Sequence, residues 1–375
     1  MRLISCFPRI VHNYPAIIHG KKMVRIIYFH GDSDYQYQEE NMFTRTFYPA
    51  IMIMVISIAL LGCSNTNNTP SPAAQSPAPT AANAGASGDA SEASAKPAEP
   101  RIAEDGMGNK VEIPANPQRI VAPYLEDALV SLGIKPVAQW SAGDLLLNYL
   151  QPQLKDIPKL DFVKLDPEQI ASFEPDLFIV PFAVRAENGA YDQFAKVAPT
   201  YVFQDATKDW RNTLLTLGDL LDRKDQANEA LKNYDATMDG LKQNLQQQIE
   251  GKTAAIMLIS DKSFSLMQEQ TYSGNVVYGE LGFQVPAMAK GNDWKDISLE
   301  VLPDLNADYI FLMQVDGADP LKNQDFVAIY STSIWKNLNA VKAGHVYSVD
   351  RDYWINTGLN ANEKVAQDVQ QFLSN

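Results

Sequence analysis

Residues 225–250 read DQANEALKNYDATMDGLKQNLQQQIE, and this stretch decides the fold. Apolar side chains recur along it at alternating intervals of three and four residues, which places them on one face of an α-helix. They are Leu231, Tyr234, Met238, Leu241 and Leu245. Such a stripe is usually core packing. Its position between two groups of apolar runs predicts one long helix that joins two lobes.

Short apolar runs separated by amphipathic stretches lie on both sides of this helix, as expected of an α/β protein. Four predicted strands precede the helix, at residues 119–122, 136–140, 177–180 and 200–203, and three follow it, at 254–260, 309–313 and 346–349. We therefore predict two α/β lobes with mainly parallel central sheets. The N-terminal lobe covers 101–224, the connecting helix 225–250 and the C-terminal lobe 251–375.

An internal repeat supports two similar lobes. LDPEQI at 165–170 is followed by EPDLFIV at 174–180, and ISLEVL at 297–302 is followed by NADYIFL at 306–312. In each copy an acid, Glu168 or Glu300, opens a short predicted helix ahead of an apolar strand. An acid in the first turn also stabilises a helix through its dipole, so capping is an alternative explanation for both.

The composition excludes several classes of protein. The chain of 375 residues has a formal net charge of −14 at pH 7, which leaves too little basic surface for sequence-independent nucleic-acid binding. Two cysteines exclude a disulfide framework and a cysteine-rich metal site. His345 is the one histidine after residue 62, so a chain without that segment has no imidazole pair for zinc.

The segment at 42–62 reads as a secretory signal. MFTRTFYP at 42–49 carries one basic residue, the apolar run 50–61 follows, and LLGC at 60–63 closes it. This pattern resembles a bacterial lipobox, which implies that the Cys63 thiol is acylated and becomes the first residue of the mature chain. The alternative is an N-terminal transmembrane anchor, since the run extended back to Phe47 approaches the shortest membrane span.

The regions on either side of the signal differ from the body of the protein. Residues 1–41 are mixed in charge and precede a complete signal, so we interpret them as an upstream extension from a start codon placed too early; a long, unusual signal n-region is the alternative. Residues 63–100 are mostly Ser, Ala, Pro, Asn, Thr and Gly, and we predict a lipid-anchored disordered linker there.

From residue 101 to 375 the chain resembles the siderophore and cobalamin class of ABC-transporter substrate-binding lipoproteins. The resemblance rests on the order and spacing of several short motifs, none of which is specific alone. They are DGxGxxVxIP at 105–114 with PxRIV at 117–121, LGIKPV at 132–137, EPDL at 174–177, YxxLGFxxP at 278–286, WxxLxAVxAGxVY at 335–347 and a closing helix to Leu373.

The resemblance implies a binding protein and not an enzyme. It implies a cleft between the lobes for a ferric siderophore, iron held only within the chelate, no other cofactor, and a monomer. It also implies delivery to an ABC permease with a cytoplasmic ATPase, with Glu168 and Glu300 as the docking acids on the two lobes. A lipid-anchored protein on the extracellular face of the cell membrane, as in Gram-positive bacteria, fits this role.

Clefts in this class are lined by loops at strand ends, so we expect aromatic and basic residues of those loops to bind the ligand. The candidates are Tyr124, Trp140, Phe182, Arg185 and Trp210 in the first lobe and Lys262, Phe264, Met267, Tyr272, Trp294, Arg351, Tyr353 and Trp354 in the second. Arg185 and Trp140 are the strongest of these, because each follows directly on an apolar strand. Packing within a lobe is the alternative for half or more of them.

Many siderophore-binding relatives carry an arginine where this chain has Lys262, and lysine lacks the bidentate fork of arginine. With few candidate cations, a neutral or weakly charged hydroxamate chelate is favoured over an anionic triscatecholate. Haem and cobalamin are alternative ligands. Ferric iron ligated directly by tyrosines such as Tyr272 or Tyr278 is disfavoured, because Tyr278 lies in a packing motif of the class.

Enzyme motifs are missing from the sequence. Val111 stands where a dinucleotide-binding fingerprint needs glycine, and GKT at 251–253 lacks the upstream glycine of a P-loop. A glycosidase built on a carboxylate pair stays open, because the chain is rich in acids. A surface adhesin that retains the binding fold is a third possibility.

Overall fold

The computed structural model describes residues 100–374, apart from 261–262 and 315–316, together with four N-terminal strands. The signal segment, most of the linker with Cys63, and Lys262 therefore lie outside the described residues. The N-terminal strands are β1 (Val11–Asn13), β2 (Ile17–His19), β3 (Lys22–Phe29) and β4 (Gln36–Asn41). They form one sheet in the order β1-β3-β2, with β4 also paired to β3.

The first lobe opens with a hairpin that the sequence analysis did not predict. Its strands β5 (Arg101–Glu104) and β6 (Lys110–Ile113) pair antiparallel. Asp105 fixes the turn between them, because its carboxylate accepts the main-chain N–H groups of Met107 and Asn109. Gly106 donates its N–H to Val202, and a Cβ at Gly106 would lie 2.3 Å from the nitrogen of Gln204, so only glycine allows this approach.

The sheet of the first lobe is parallel. Its strands are β7 (Ile120–Val121), β8 (Gln139–Ser141), β9 (Lys159–Asp161), β10 (Leu177–Val180) and β11 (Thr200–Val202). They run in the order β11-β10-β7, and a bridge from Val121 to Ala138 leads on to the β8-β9 pair. The helices are α1 (Glu126–Ser131), α2 (Gln151–Leu154), α3 (Pro167–Ser172), α4 (Ala190–Phe194) and α5 (Trp210–Leu220).

One helix, α6 (Lys224–Ile249), separates the two strand groups over 26 residues. Four residues of the apolar stripe, Tyr234, Met238, Leu241 and Leu245, are buried, and Leu231 packs partly buried beside them. They belong to one continuous core that takes in residues of both lobes. The helix continues through Gly240, where an added Cβ would meet no other atom.

The second lobe holds a five-stranded sheet in the order β14-β13-β12-β15-β16. Its strands are β12 (Ala254–Ser260), β13 (Ser263–Met267), β14 (Trp294–Ile297), β15 (Tyr309–Gln314) and β16 (Val346–Ser348). The pairs β12-β15 and β15-β16 are parallel, whereas β12-β13 and β13-β14 are antiparallel. The antiparallel half was not predicted, because β13 and β14 are short and carry polar residues.

Helices cover the second sheet. They are α7 (Val327–Tyr330), α8 (Ser333–Asn337), α9 (Asn339–Ala343), α10 (Arg351–Trp354) and α11 (Leu359–Leu373), with a π-helix at Asn275–Leu281 and a 3₁₀ helix at Leu299–Leu305. Separate apolar clusters lie against the other face of each sheet. The protein is therefore an α/β protein with two lobes and one long helix between the strand groups. Among the described residues no helix has the length and apolar character needed to cross a membrane.

Candidate functional site

A large cavity lies at the C-terminal ends of strands from both lobes. It has a volume of about 670 Å³. Tyr124 follows β7 and Asp205 follows β11, while Gly317 follows β15 and Arg351 follows β16. Loops at the carboxyl ends of parallel strands are where α/β proteins place their ligands, because the chain leaves the sheet there with free side chains. This cavity is the candidate ligand site.

An aromatic cluster forms the wall of the cavity on the first lobe. The ring of Tyr124 lies 6.0 Å from that of Trp140, 6.1 Å from Phe162 and 5.7 Å from Phe182, measured between centroids. Tyr124 and Trp140 face the cavity, whereas Phe162 and Phe182 support them from behind. Such a wall suits the apolar arms of a ligand.

Tyr124 occupies a turn that normally requires glycine. The N–H of Leu125 bonds to the carbonyl of Ala122 at 3.1 Å, and Pro123 occupies the second position of this four-residue turn. Proline holds a negative φ, so the φ of 72° at Tyr124 defines a type II turn with tyrosine at its third position. A bulky residue in that conformation is strained, which is typical of functional sites.

Tyr272 approaches Tyr124 from the second lobe and also has a left-handed backbone, with φ of 42°. Both residues line the cavity, and their phenols are close enough for Tyr272 to influence the pKa of Tyr124, so residues of the two lobes meet there. Burial is the main cause of a raised pKa at Tyr124, and the neighbouring Tyr272 raises it further. The Tyr124 hydroxyl is therefore protonated at neutral pH.

Carboxylates outnumber cations among the described residues that line the cavity. The acids are Asp205, Asp293, Asp350 and Asp352, and the cations are Lys208 and Arg351. Asp352 also connects the lobes, because its carboxylate accepts the N–H of Tyr149 at 2.6 Å. Burial raises the pKa of this carboxyl, and the bond from Tyr149 works against that increase.

Five of the predicted ligand-binding residues line the cavity: Tyr124, Trp140, Tyr272, Trp294 and Arg351. Phe182 lies one layer behind, against Tyr124. Lys262 is outside the described residues. The structure places the other candidates elsewhere.

Arg185 is held within its own lobe. Its guanidinium lies over the ring of Phe162, 4.7 Å from the centroid, and donates to the carbonyl of Val163 at 3.3 Å. It is absent from the described lining of the cavity, although it follows a strand of the first lobe. A position just after a strand therefore does not bring Arg185 to the cavity, because the 3₁₀ turn at Ala183–Arg185 directs the chain away from it.

Four apolar candidates lie in the core and not at the cavity. Phe264 and Met267 are fully buried on β13, with Phe264 stacked on Trp335 and the Met267 sulfur accepting the Ser273 hydroxyl at 3.2 Å. Trp354 is also fully buried, and Trp210 is only 9% exposed.

Hydrogen bonds and ring contacts explain the positions of the two tryptophans and their neighbour Tyr353. The Trp354 indole and the Tyr353 hydroxyl both donate to Asp368 on α11. Trp210 packs edge-on against Tyr234, with ring centroids 5.0 Å apart. Burying a large aromatic ring between a sheet and its helices stabilises the fold more than exposing the ring in a loop. These rings therefore pack in the core.

Several polar residues of the lining were not predicted, because the search favoured aromatic side chains and the few basic ones closest to predicted strand ends. They include Asn148, Asp205, Lys208, Gln270, Asp293, Asp350 and Asn356. Asp205 and Asp350 could have been found, since each comes one or two residues after a predicted strand. The others occupy loops whose approach to the cavity depends on how the lobes pack.

The two acids of the internal repeat are exposed in equivalent places. Glu168 lies in the first turn of α3, and Glu300 lies in the first turn of the 3₁₀ helix before β15. The hydroxyl of Ser298 is the main cause of a lowered pKa at Glu300, so that acid is ionised at neutral pH. Each therefore presents its side chain to solvent on its own lobe.

The aspartates of the repeat have a structural role. Asp176 donates its N–H to the carbonyl of Arg119, and its carboxylate accepts the N–H of Arg119. Asp308 makes the same pair of bonds to Thr253. Each aspartate thus fixes the start of the neighbouring parallel strand, which explains why both copies carry it.

Comparison with known proteins shows to which family the chain belongs. A family model described as periplasmic binding protein matches residues 143–353. A probable siderophore-binding lipoprotein of Bacillus subtilis, YfiY, is 30% identical over 72% of this chain and 87% of its own. The Fe(3+)-citrate-binding protein YfmC of the same organism is 30% identical over 72% of this chain and 84% of its own.

A solved structure shows the same architecture. It is a periplasmic binding protein component of a ferrichrome ABC transporter from Bacillus subtilis, and it superposes with a TM-score of 0.62 at 25% identity, covering 72% of this chain and 99% of that one. The family match, the relatives and this structure agree on the fold with two α/β lobes. The chain belongs to the periplasmic binding protein family.

Proposed function

We propose that this protein captures a ferric siderophore in the cavity between its lobes and delivers it to the permease of an ABC importer. The observation that carries the proposal is the aromatic-walled cavity of about 670 Å³ at the strand ends of both lobes. The cavity is large enough for an organic chelate. The iron is carried within the chelate, the protein supplies no other cofactor, and it acts as a monomer.

We infer further that the chelate is of the hydroxamate type, because of the charges in the wall. The excess of Asp side chains over Lys and Arg among the described lining residues repels strongly anionic chelates such as ferric triscatecholates and ferric citrate. A neutral chelate, or one with a cationic substituent, avoids that repulsion. One relative is named for Fe(3+)-citrate and the structural match for a ferrichrome transporter, so the relatives leave the chelate type open.

Tryptophan fluorescence of the purified protein tests this proposal, since Trp140 and Trp294 line the cavity. We expect ferric hydroxamates to quench the emission at lower concentrations than ferric catecholates, ferric citrate, haem or cobalamin. Trp140→Phe should reduce the quenching. Trp335→Phe is the control, because that ring is buried in the outer cluster of the second lobe. If none of these compounds quenched the emission, the proposal would be refuted.

Delivery requires contact with a membrane permease, and Glu168 and Glu300 are the residues proposed to make it. Glu168→Ala and Glu300→Ala should impair uptake of the chelate by cells while leaving its affinity for the purified protein unchanged. Glu229→Ala, an exposed acid on α6, is the control for a loss of surface charge. A drop in chelate affinity would assign Glu168 and Glu300 to the cleft or to folding instead.

We propose that Cys63 anchors the protein to the outer face of the cell membrane through a lipid. The lipobox pattern and the lipoprotein names of relatives support this. Cys63→Ala should release the protein into the medium. If the variant stayed in the membrane fraction after an alkaline wash, residues 47–61 would be a transmembrane anchor.

A further inference from the structure

Glu126 is a buried acid beside the cavity with no part in the function proposed so far. It begins α1, two residues after Tyr124, and its side chain is fully buried. Glutamate is almost never fully buried without a partner. One carboxyl oxygen, Oε2, has no hydrogen-bond partner among the described residues. A buried group of this kind requires an explanation.

The other carboxyl oxygen of Glu126 bonds to the strand that carries Trp140. Oε1 accepts the main-chain N–H of Trp140 at 2.5 Å. The preceding residue, Gln139, donates its N–H in the opposite direction, to Pro158 beside β9. The N–H of Trp140 therefore points towards the side of β7.

The strand β7 ends before it could accept this bond. Its last residue is Val121, because the chain turns away at Pro123. The N–H of Trp140 thus extends past the end of β7, where no strand carbonyl is available. The carboxyl of Glu126 takes the place of that carbonyl, and without it a buried amide would lack a partner.

The same carboxyl lies next to the strained turn at Tyr124. The main-chain N–H of Tyr124 is close enough to favour the charged form of Glu126. Glu126 also directly follows Leu125, the residue that closes the turn. One side chain therefore bonds to the main chain of Trp140 and lies beside the turn that holds Tyr124.

We propose that Glu126 is a positioning residue of the ligand site, whose carboxyl holds Trp140 beside the left-handed turn at Tyr124 and so fixes the aromatic wall. This inference rests on the proposed function, because it takes the aromatic wall as the binding surface. Glu126 does not contact the ligand itself.

Burial favours the uncharged form of Glu126, although the bond from Trp140 favours the charged form. Burial is the largest cause of the increase in the pKa of Glu126 from 4.5 to about 7, and the neighbouring Asp127 adds to it. The titratable groups that face it are Asp127 on α1, Tyr149 on the 3₁₀ turn at Asn148–Leu150, and Tyr124. Burial keeps both tyrosines neutral near pH 7, so Asp127 is the neighbour whose charge matters, and ionisation of Glu126 adds a second negative charge beside it in a buried site and disturbs the wall.

Two substitutions of Glu126 distinguish the effect of its acceptor oxygen on Trp140 from the effect of its charge. Glu126→Gln keeps an acceptor oxygen and the shape of the uncharged acid, whereas Glu126→Leu keeps a similar volume without an acceptor. Glu229→Gln on α6 is the matched control. The emission of Trp140 is obtained for the full-length protein in detergent, as the difference between each protein and its Trp140→Phe counterpart. It is recorded between about pH 5.5 and 8.5, and affinity for a ferric hydroxamate is measured alongside.

We expect the Trp140 emission of the wild type and of Glu229→Gln to change with a midpoint near pH 7. Glu126→Gln should keep the low-pH spectrum throughout, and Glu126→Leu should shift it at every pH and weaken chelate binding about fivefold. A wild-type spectrum and affinity in Glu126→Leu would overturn the proposal, as would an unchanged midpoint in Glu126→Gln. If Glu126→Leu does not fold, the pH profile of Glu126→Gln decides.

The same measurements test the proposed function separately from the role of Glu126. If the wild type binds no chelate, that function fails, while the emission of Trp140 without ligand still shows whether Glu126 holds it.

Discussion

Replacing Tyr124 by glycine and by alanine separates the strain of its turn from the contacts of its ring. Both variants lose the ring and its contacts with Trp140, Phe162 and Phe182. Only alanine keeps a Cβ in the left-handed conformation, with φ of 72°. The two variants therefore differ in backbone strain and in the freedom of the unfolded chain.

The expected difference follows from two opposing effects. A left-handed backbone costs a residue with a Cβ about 1–2 kcal/mol relative to glycine. Glycine in turn loses about 0.4–1 kcal/mol more on folding, because its unfolded chain has more freedom. We expect Tyr124→Gly to be more stable than Tyr124→Ala by about 0.5–1 kcal/mol. Both should be less stable than the wild type by about 2–3 kcal/mol, since a half-buried ring is lost.

Urea unfolding followed by circular dichroism measures these free energies. Ala236→Gly on the exposed face of α6 is the control, and there glycine should be less stable than alanine by about 1 kcal/mol. The sign at Tyr124 should be the reverse of the sign at this helical position. If Tyr124→Ala were at least as stable as Tyr124→Gly, the type II turn with a strained tyrosine would be refuted.

Three further predictions concern stability. Because the pKa of Glu126 rises from 4.5 to about 7 on folding, its contribution to stability is full below pH 4.5 and is lost as the pH rises towards 7. Glu126→Gln should remove about 3 kcal/mol of this pH dependence in urea unfolding at a series of pH values. Gly358→Ala should lower the free energy of unfolding by more than about 2 kcal/mol, because its φ is 139° and a Cβ would lie 2.5 Å from the Cγ of Asp127. Arg211→Met should destabilise by about 1–2 kcal/mol, more at pH 8 than at pH 5, since it leaves the partly buried Glu280 without its counter-charge; equal losses at the two pH values would show that the ion pair is not the cause.

The elements with strong patterns were predicted closely. Two strands, at 177–180 and 254–260, have the predicted bounds, and α6 begins and ends one residue earlier than predicted. These segments are long or fully buried, so their apolar spacing reflects the structure directly. The hairpin β5-β6 and the strands β13 and β14 were missed, because their residues alternate with polar ones or are too few to form a pattern.

The candidate site was predictable only in part. The residues that reach the cavity are Tyr124, Trp140, Tyr272, Trp294 and Arg351. Two lie in loops, two on short strands and Arg351 at the start of α10. Phe264, Met267 and Trp354 were chosen by the same rule, but they are fully buried. Sequence position near a strand end cannot distinguish a ring that faces solvent from one that packs under the next helix, because the difference depends on contacts with distant residues.

The sequence by itself determined the α/β class, the helix between two strand groups and the resemblance to siderophore-binding proteins, because these follow from local periodicity and from motifs in a fixed order. Only the tertiary structure decided which side chains meet at the cavity. The Tyr124–Tyr272 contact and the bond from Trp140 to Glu126 join residues distant in the chain. Such contacts form where two sheets and their loops converge, and no local pattern specifies that convergence.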